Sequence, residues 1–310
     1  IKEFLIMKKA IYAFSGDPIT YGHIDIIERA SRNFDEVYIG IGSNPSKKYM
    51  FSVEERTTMA KRSLERIENV KVYLIKGLLV DFAYEHNISV IVKGVRNTVD
   101  FNYENILHQV GESQKLGIDT FILIARPELA HISSRAVKDI LKEQGYIHEY
   151  VPLYVKQCLE IKMFKQYIIG VTGEIGAGKS YVSETISSFS ESLNIPIHNI
   201  ELDHLAHQIL EQLTEPKYEE VRNKLVDCFG LGIKKENGMI NRRNLGQIVF
   251  NDPKALKKLN AIMLKPILVR LKREIYQKSG LIILNAALLA ESDMSYLCNN
   301  NFILVNCSKQ

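Results

Sequence analysis

Two stretches place side chains at spacings suited to phosphate chemistry. GEIGAGKS, Gly173 to Ser180, fits GxxxxGKS in full, with Gly173, Gly176 and Gly178 ahead of Lys179 and Ser180. Such glycines let backbone N–H groups converge on phosphate oxygens. The lysine would reach the β- and γ-phosphates, and the serine hydroxyl would ligate magnesium. The second stretch, TYGHIDIIERA, sets a threonine, Gly22 and His23 directly before an amphipathic helix and shortly after the apolar run IYAF. Backbone N–H groups at a helix start attract anions. His23 can therefore meet a phosphate, or it can simply fill the turn.

Other candidates are charged. NIELDHLAHQIL places Glu201 and Asp203 after an expected strand and before a helix. Asp203 there can orient or deprotonate an accepting hydroxyl, or it can serve as the helix N-cap. Arg242 and Arg243 can clamp a phosphate or stand in solvent. Lys47, Lys48, Lys93 and Arg96 fall at or near strand ends, where open α/β sheets bind ligands. A histidine and several cations on one edge suit nucleotidyl transfer, because they stabilise charge on a pentavalent phosphate and on departing pyrophosphate. No strong nucleophile accompanies His23, which favours direct attack by the acceptor.

The elements that must position these residues alternate. Short Val/Ile-rich runs (IYAF, EVYIGIG, KVYLI, SVIVKGV, TFILIA) alternate with helical segments, the pattern of parallel strands covered on both faces. Ser52 and Glu55 have capping-box spacing, and Ser134 is expected to cap a helix that Gly145 stops. PLYVKQCLEIKM reads as a helix closing this unit, and at Gln166 a new strand, KQYIIGV, restarts the alternation. The boundary is expected near Lys162 to Lys165, giving domains over 7–162 and 166–310. LIILNAALLA and FILVN read as buried strands of the second.

Bulk composition restrains the reading. The chain has 310 residues, 46% of them hydrophobic and 25% charged, with a net charge of +4. That is an ordinary globular balance, and no global charge calls for nucleic acid. Cys158, Cys228, Cys298 and Cys307 are scattered, with no spacing suited to zinc, so a reduced cytoplasmic protein is expected. The longest apolar run is too short to span a bilayer, which predicts no membrane partner. Ile1 is no ordinary initiator, and MKKAIYAF from Met7 reads as the natural opening.

From about Met7 to Lys162 the chain closely resembles bacterial-type phosphopantetheine adenylyltransferases. DPITYGHIDIIERA, PSKKYMFSVEER, VKGVRNTVDFNYE and ISSRAVKDI carry the likeness. It implies a Rossmann-like, doubly wound nucleotidyltransferase fold. The implied reaction is magnesium-assisted transfer of AMP from ATP to 4′-phosphopantetheine, giving dephospho-coenzyme A and pyrophosphate. A homo-oligomer, typically a hexamer, is also implied. By resemblance His23 binds ATP phosphate and stabilises the transition state, Lys47 meets both substrates, and Lys93 stands where an arginine usually holds phosphopantetheine. Arg96, Glu104 and Gly94 fall at the ATP site, Ser133 and Ser134 lie near the ATP phosphates, and Leu78 and Leu79 lie along the pantetheine arm. YAFSGDPIT replaces the usual YPGTFDPIT. Ser15 thus stands for a threonine, and Phe14 stands for a glycine where a ring is expected to crowd ATP. Arg135 follows ISS in place of the usual serine.

From about Gln166 onward the chain resembles dephospho-coenzyme A kinases, through IGVTGEIGAGKS, ELDHLAHQIL, INRRNLGQIVF and LNAIMLKPIL. This implies a P-loop NTPase fold that phosphorylates the 3′-hydroxyl of dephospho-coenzyme A, with Asp203 as general base, Ser180 on magnesium and Arg243 at a family arginine. Glu174, Glu201 and Lys265 depart from the usual glycine, aspartate and histidine. The family continues past this chain's last residues with a lid helix. The resemblance therefore implies a kinase domain lacking its C-terminal part, with weak turnover. The two implied reactions are consecutive. The competing reading is an adenylyltransferase whose second domain binds nucleotide without catalysis.

Overall fold

The computed structural model describes residues 7–44, 47–174, 176–286 and 294–306. Two compact units, Ile1–Leu159 and Glu160–Gln310, make up the chain. The first comprises β1 (Lys9–Phe14), α1 (Tyr21–Ser31), β2 (Glu36–Ile41), α2 (Val53–Leu64), β3 (Val70–Leu74), α3 (Leu79–Glu85), β4 (Val90–Val95), α4 (Thr98–Glu112), β5 (Asp119–Ile124) and α5 (Ser134–Lys142), followed by α6 (Leu153–Phe164), which runs into the second unit.

The first sheet is wholly parallel in the order β3-β2-β1-β4-β5. Ile11, Val37, Ile39, Ile41 and Val92 are fully buried in it, as the short apolar runs require. α1 turns Ile24, Ile26, Ile27 and Ala30 inward. The strand order reverses between β1 and β4, so a crevice opens beyond their C-terminal ends. The doubly wound sheet expected from the sequence is thus present. TFILIA behaves differently from the other runs: it forms the edge strand β5, where Ile124 stays 71% exposed, and α4 beside it buries no residue.

Capping is partly as expected. Ser52 and Glu55 form the reciprocal box at α2. At α5, however, Ser133 is the cap, accepting from Ala136 N, while Ser134 is the first helical residue and its Oγ donates to Pro18 O at 2.7 Å. The helix ends at Lys142 rather than at Gly145. Gly145 closes the following turn through its N–H to Ile140 O, and a Cβ there would stand 2.8 Å from that oxygen.

The second unit holds β6 (Gln166–Thr172), α7 (Lys179–Ser188), α8 (Ser190–Leu193), β7 (Ile197–Glu201), α9 (Leu202–Glu211), α10 (Pro216–Phe229), α11 (Arg242–Val249), α12 (Pro253–Ile275), β8 (Gly280–Asn285) and β9 (Phe302–Leu304). Its sheet is also parallel, in the order β7-β8-β6-β9. Helices α9 to α12 share their own core around Ile209, Leu225, Ile233 and Ile240. The strand expected over LIILNAALLA runs as β8 to Asn285, and residues 287–293 lie outside the described ones, as do Pro45, Ser46, Ile175 and residues 307–310.

Candidate active sites in the two units

In the first unit His23 is the third residue of α1, and its ring is held from two sides. The backbone N–H of Thr20 donates to His23 Nδ1 at 3.1 Å, and Thr20 Oγ1 lies 2.8 Å from the same nitrogen. A backbone N–H can only donate, so Nδ1 is the unprotonated nitrogen and the ring proton sits on Nε2. Burial, helped by the Arg96 charge, pushes the imidazole pKa down to about 4. His23 is therefore a neutral donor at physiological pH. The Phe14 ring lies against its face, with centroids 4.5 Å apart and planes 19° apart.

The loop between β1 and α1 is braced by charges that sequence reasoning missed. Asp17, 5% exposed, accepts from Phe51 N at 2.9 Å and from Lys138 Nζ at 2.7 Å. Burial alone would raise its carboxyl, but Lys138 and the N–H groups of Phe51 and Met50 outweigh it and hold it below the usual range. Arg56 is 1% exposed. Its guanidinium donates to Ser15 O, to Gly42 O at 2.7 Å and to Ser43 Oγ at 2.7 Å, and it packs 4.2 Å over the Tyr49 ring. The available signal was an arginine on the buried face of α2, in line with Met59 and Ala60.

From β4, Gly94 lets α1 come close, since a Cβ there would stand 2.9 Å from Ile26 Cγ1. Arg96, just past the strand, forks onto Asp100 with Nε to Oδ2 at 2.7 Å and Nη2 to Oδ1 at 3.2 Å. Lys93 Nζ stands 2.7 Å from Glu104 Oε2. These two expected ligands of different substrates thus hold each other. Gly22 sits against the 129–132 turn, with Leu129 O and Ile132 O within 3.8 Å of a hypothetical Cβ, next to Ser133 and Ser134. His23, Ser15, Gly22, Gly94, Arg96, Ser133 and Ser134 therefore gather around the β1–β4 crevice. Lys47 is exposed on the loop after β2, Leu78 is the exposed N-cap of α3, and Leu79 packs into the core beside that helix.

In the second unit the glycine-rich loop joins β6 to α7. Gly176 and Gly178 take positive φ with open space around them. Lys179 Nζ donates to Gly173 O at 3.0 Å and to Glu174 O at 2.9 Å, and Ser180 is exposed in the first turn of α7. Asp203 is not the N-cap that one sequence reading allowed: Glu201 holds that position, and Asp203 is exposed one residue inside α9. Arg242 is tied to α9, its Nη1 2.7 Å from His207 Nδ1, which itself lies 2.9 Å from Glu211 Oε2, while Arg243 is exposed.

A parallel sheet that reverses order beside this histidine-bearing turn defines a nucleotidyltransferase domain, and the loop at the head of the second sheet defines a P-loop kinase domain. Residues 15–140 match the family described as Cytidylyltransferase-like, and residues 167–310 match that described as Dephospho-CoA kinase. A phosphopantetheine adenylyltransferase of Christiangramia forsetii is 42% identical over 151 residues, 49% of this chain and 99% of the relative. One of Caldanaerobacter subterraneus subsp. tengcongensis is 39% identical over 159 residues, 51% and 99% respectively. The crystal structure of TT1252 from Thermus thermophilus is 30% identical, covering 46% of this chain and 65% of that one, with a TM-score of 0.36. The chain belongs to the bacterial phosphopantetheine adenylyltransferase family through its first half and carries a dephospho-CoA kinase-family domain in its second.

Proposed function

We propose that residues 7–162 transfer AMP from ATP to 4′-phosphopantetheine, giving dephospho-coenzyme A and pyrophosphate, and that residues 166–310 phosphorylate the 3′-hydroxyl of that product. The observation that carries this reading is His23 as a fixed, neutral Nε2–H donor at the β1–β4 crevice, with the Arg96 charge acting on it. A neutral imidazole donates a hydrogen bond to a phosphoryl oxygen without giving up its proton. Its role is thus to stabilise charge rather than to act as general acid. Lys47 supplies further positive charge, while Lys93 and Arg96 have to share theirs between a phosphate and Glu104 or Asp100, respectively. The acceptor phosphate attacks the α-phosphorus directly: the hydroxyl that meets the imidazole, Thr20 Oγ1, belongs to a residue only 1% exposed and is engaged with Nδ1.

Among the described residues no group of three His, Cys, Asp or Glu can hold a metal. Magnesium asks less of the protein, since it is carried largely on nucleotide phosphates and takes one or two protein oxygens. The exposed Ser180 hydroxyl would hold it in the second unit, where magnesium neutralises phosphate charge when bound. There Lys179 exchanges its bonds to Gly173 O and Glu174 O for nucleotide phosphate, and Asp203 accepts the proton of the 3′-hydroxyl.

A cytoplasmic homo-oligomer is part of this proposal. α4 and β5 leave Val99, Ile106 and Ile124 between 59% and 76% exposed, an apolar face suited to a second copy. No described helix is long and apolar enough to cross a membrane. Incubating the chain with 4′-phosphopantetheine, ATP and magnesium, and following products by liquid chromatography with mass detection, tests both reactions. Dephospho-coenzyme A followed by coenzyme A is the expected result. Dephospho-coenzyme A alone would leave the second domain as a nucleotide-binding module, and neither product would overturn the reading.

A further inference from the structure

Phe14 ends β1 at the point where the strand order reverses. Tyr12 and Phe14 point to the same side of the strand, as residues two apart do. Their rings are 5.0 Å apart, and Phe14 in turn lies flat on His23 at 4.5 Å. The three rings form a column. Its foot rests on β4, because Tyr12 Oη lies 3.4 Å from where a Gly94 Cβ would be.

Position 16, which carries no side chain, leaves the Phe14 ring room beside the loop. Gly16 has φ +60°, and a Cβ there would stand 3.1 Å from Phe14 Cε2 and 3.5 Å from Cδ2. A Cβ there would ask the Phe14 ring to give by a few tenths of an ångström, and φ +60° adds backbone strain to any side chain at this position. YAFSGDPIT departs from YPGTFDPIT at both of these positions, with the aromatic ring moved to 14 and the glycine to 16.

His23 is thus constrained two ways, and one edge is left free. Thr20 takes Nδ1, the Phe14 ring covers one face, and Nε2–H is left as the edge available to a phosphate oxygen. We propose that Phe14 is a positioning residue for adenylyl transfer: lying in the space that Gly16 leaves, its ring fixes the imidazole plane and keeps water from one face of His23. This rests on the function proposed above. The ring that was expected to crowd ATP acts on the histidine that binds it. The charge acting on His23 is that of Arg96, itself paired with Asp100, so a change in the stack can be read against a fixed electrostatic neighbour.

The test uses the full chain with isotope-labelled histidine, read by NMR without substrate, together with steady-state kinetics. In the wild type, His23 should remain the Nε2–H tautomer and titrate near 4. In Phe14→Leu and Phe14→Ala the midpoint should rise by ~1–2 units as water reaches the ring. kcat should fall ~10-fold while KM for ATP changes less than ~3-fold. Phe14→Tyr, which keeps the stack, should restore both. Gly16→Ala should raise the His23 midpoint in the wild-type background and far less in the Phe14→Ala background, because only the first contains the tight contact with the ring, while the strain at φ +60° is common to both. An unchanged His23 midpoint and kcat in Phe14→Leu would overturn the proposal, as would a Phe14→Tyr variant as impaired as Phe14→Leu. A wild-type chain that transfers no AMP would overturn the assigned reaction and the catalytic half of this inference. The titration would still decide whether Phe14 positions His23.

Discussion

Thr20 and His23 bond one another across the first turn of α1: His23 Nδ1 accepts the Thr20 backbone N–H at 3.1 Å and lies 2.8 Å from Thr20 Oγ1. The side chain at the third helical position thereby satisfies a backbone donor that the helix itself leaves orphaned, as a capping glutamate would. One contact serves the fold and fixes the tautomer on which the chemistry depends.

Thr20→Val should weaken both roles. It keeps the branched shape but removes Oγ1, while the backbone N–H still reaches Nδ1. The loss of the cap hydroxyl should lower stability by about 1 kcal/mol, measured by urea unfolding. Adenylyl transfer should fall ~10-fold in kcat, because the imidazole is held by one bond rather than two. Thr20→Ser should lie near wild type in both assays.

Acid should destabilise the first unit in two stages. His23 has a folded pKa of about 4 against an ordinary 6.5, so the unfolded chain takes up its proton first as pH falls. Stability is complete above 6.5 and erodes through the window down to about 4. Asp17, whose folded pKa is below its ordinary 3.8, adds stability that is present above that value and lost below it. Urea midpoints measured between about pH 8 and about pH 4 should show the first slope, and His23→Asn should reduce it to the part that His148, whose pKa burial also lowers, contributes. A wild-type midpoint flat across that window would show that His23 is not held neutral.

Much of this arrangement was legible beforehand. The parallel alternation followed from apolar runs that must be buried on both faces, and GxxxxGKS between a strand and a helix has few other readings. What the sequence hid were contacts between residues distant in the chain. Nothing local marks Arg56 as a brace for the Ser15 carbonyl 41 residues away, nor Lys138 as the partner of Asp17, 121 residues away. The cap of α5 was misplaced by one residue because Ser133 and Ser134 have the same capping chemistry. Only the bond from Ser134 Oγ to Pro18 O distinguishes their roles. The stack of Phe14 on His23, nine residues on, was equally hidden, because it forms only once the loop between β1 and α1 has folded back.

Arg56 is expected to be the most sensitive charge in the first unit. Arg56→Ala would strand the carbonyls of Ser15 and Gly42 in a buried site, a loss of ~3 kcal/mol in urea unfolding. Arg56→Lys keeps the charge but cannot reach all three acceptors, and should cost about 1–2 kcal/mol. Both should lower adenylyl transfer by more than their unfolded fraction explains, because Ser15 belongs to the loop that carries the site. Equal activity per folded molecule in Arg56→Lys would confine the residue to stability.

The glycines of the second unit should prove unequal. Gly173 has φ +150°, and a Cβ there would stand 2.1 Å from Val305 O, in the segment whose N–H bonds Thr172 O at 2.8 Å. Alanine at 173 must therefore push the end of β9 away from β6 or move the phosphate loop. Gly176 has φ +84° with nothing near its would-be Cβ, so alanine there meets only backbone strain, about 1 kcal/mol. Gly173→Ala should lower the thermal unfolding temperature of the second unit and weaken binding of a fluorescent ATP analogue at least ~10-fold, since loop and strand move together. Gly176→Ala should keep the unfolding temperature close to wild type. If the two variants unfold alike, the approach of Val305 to the loop does not constrain the nucleotide site.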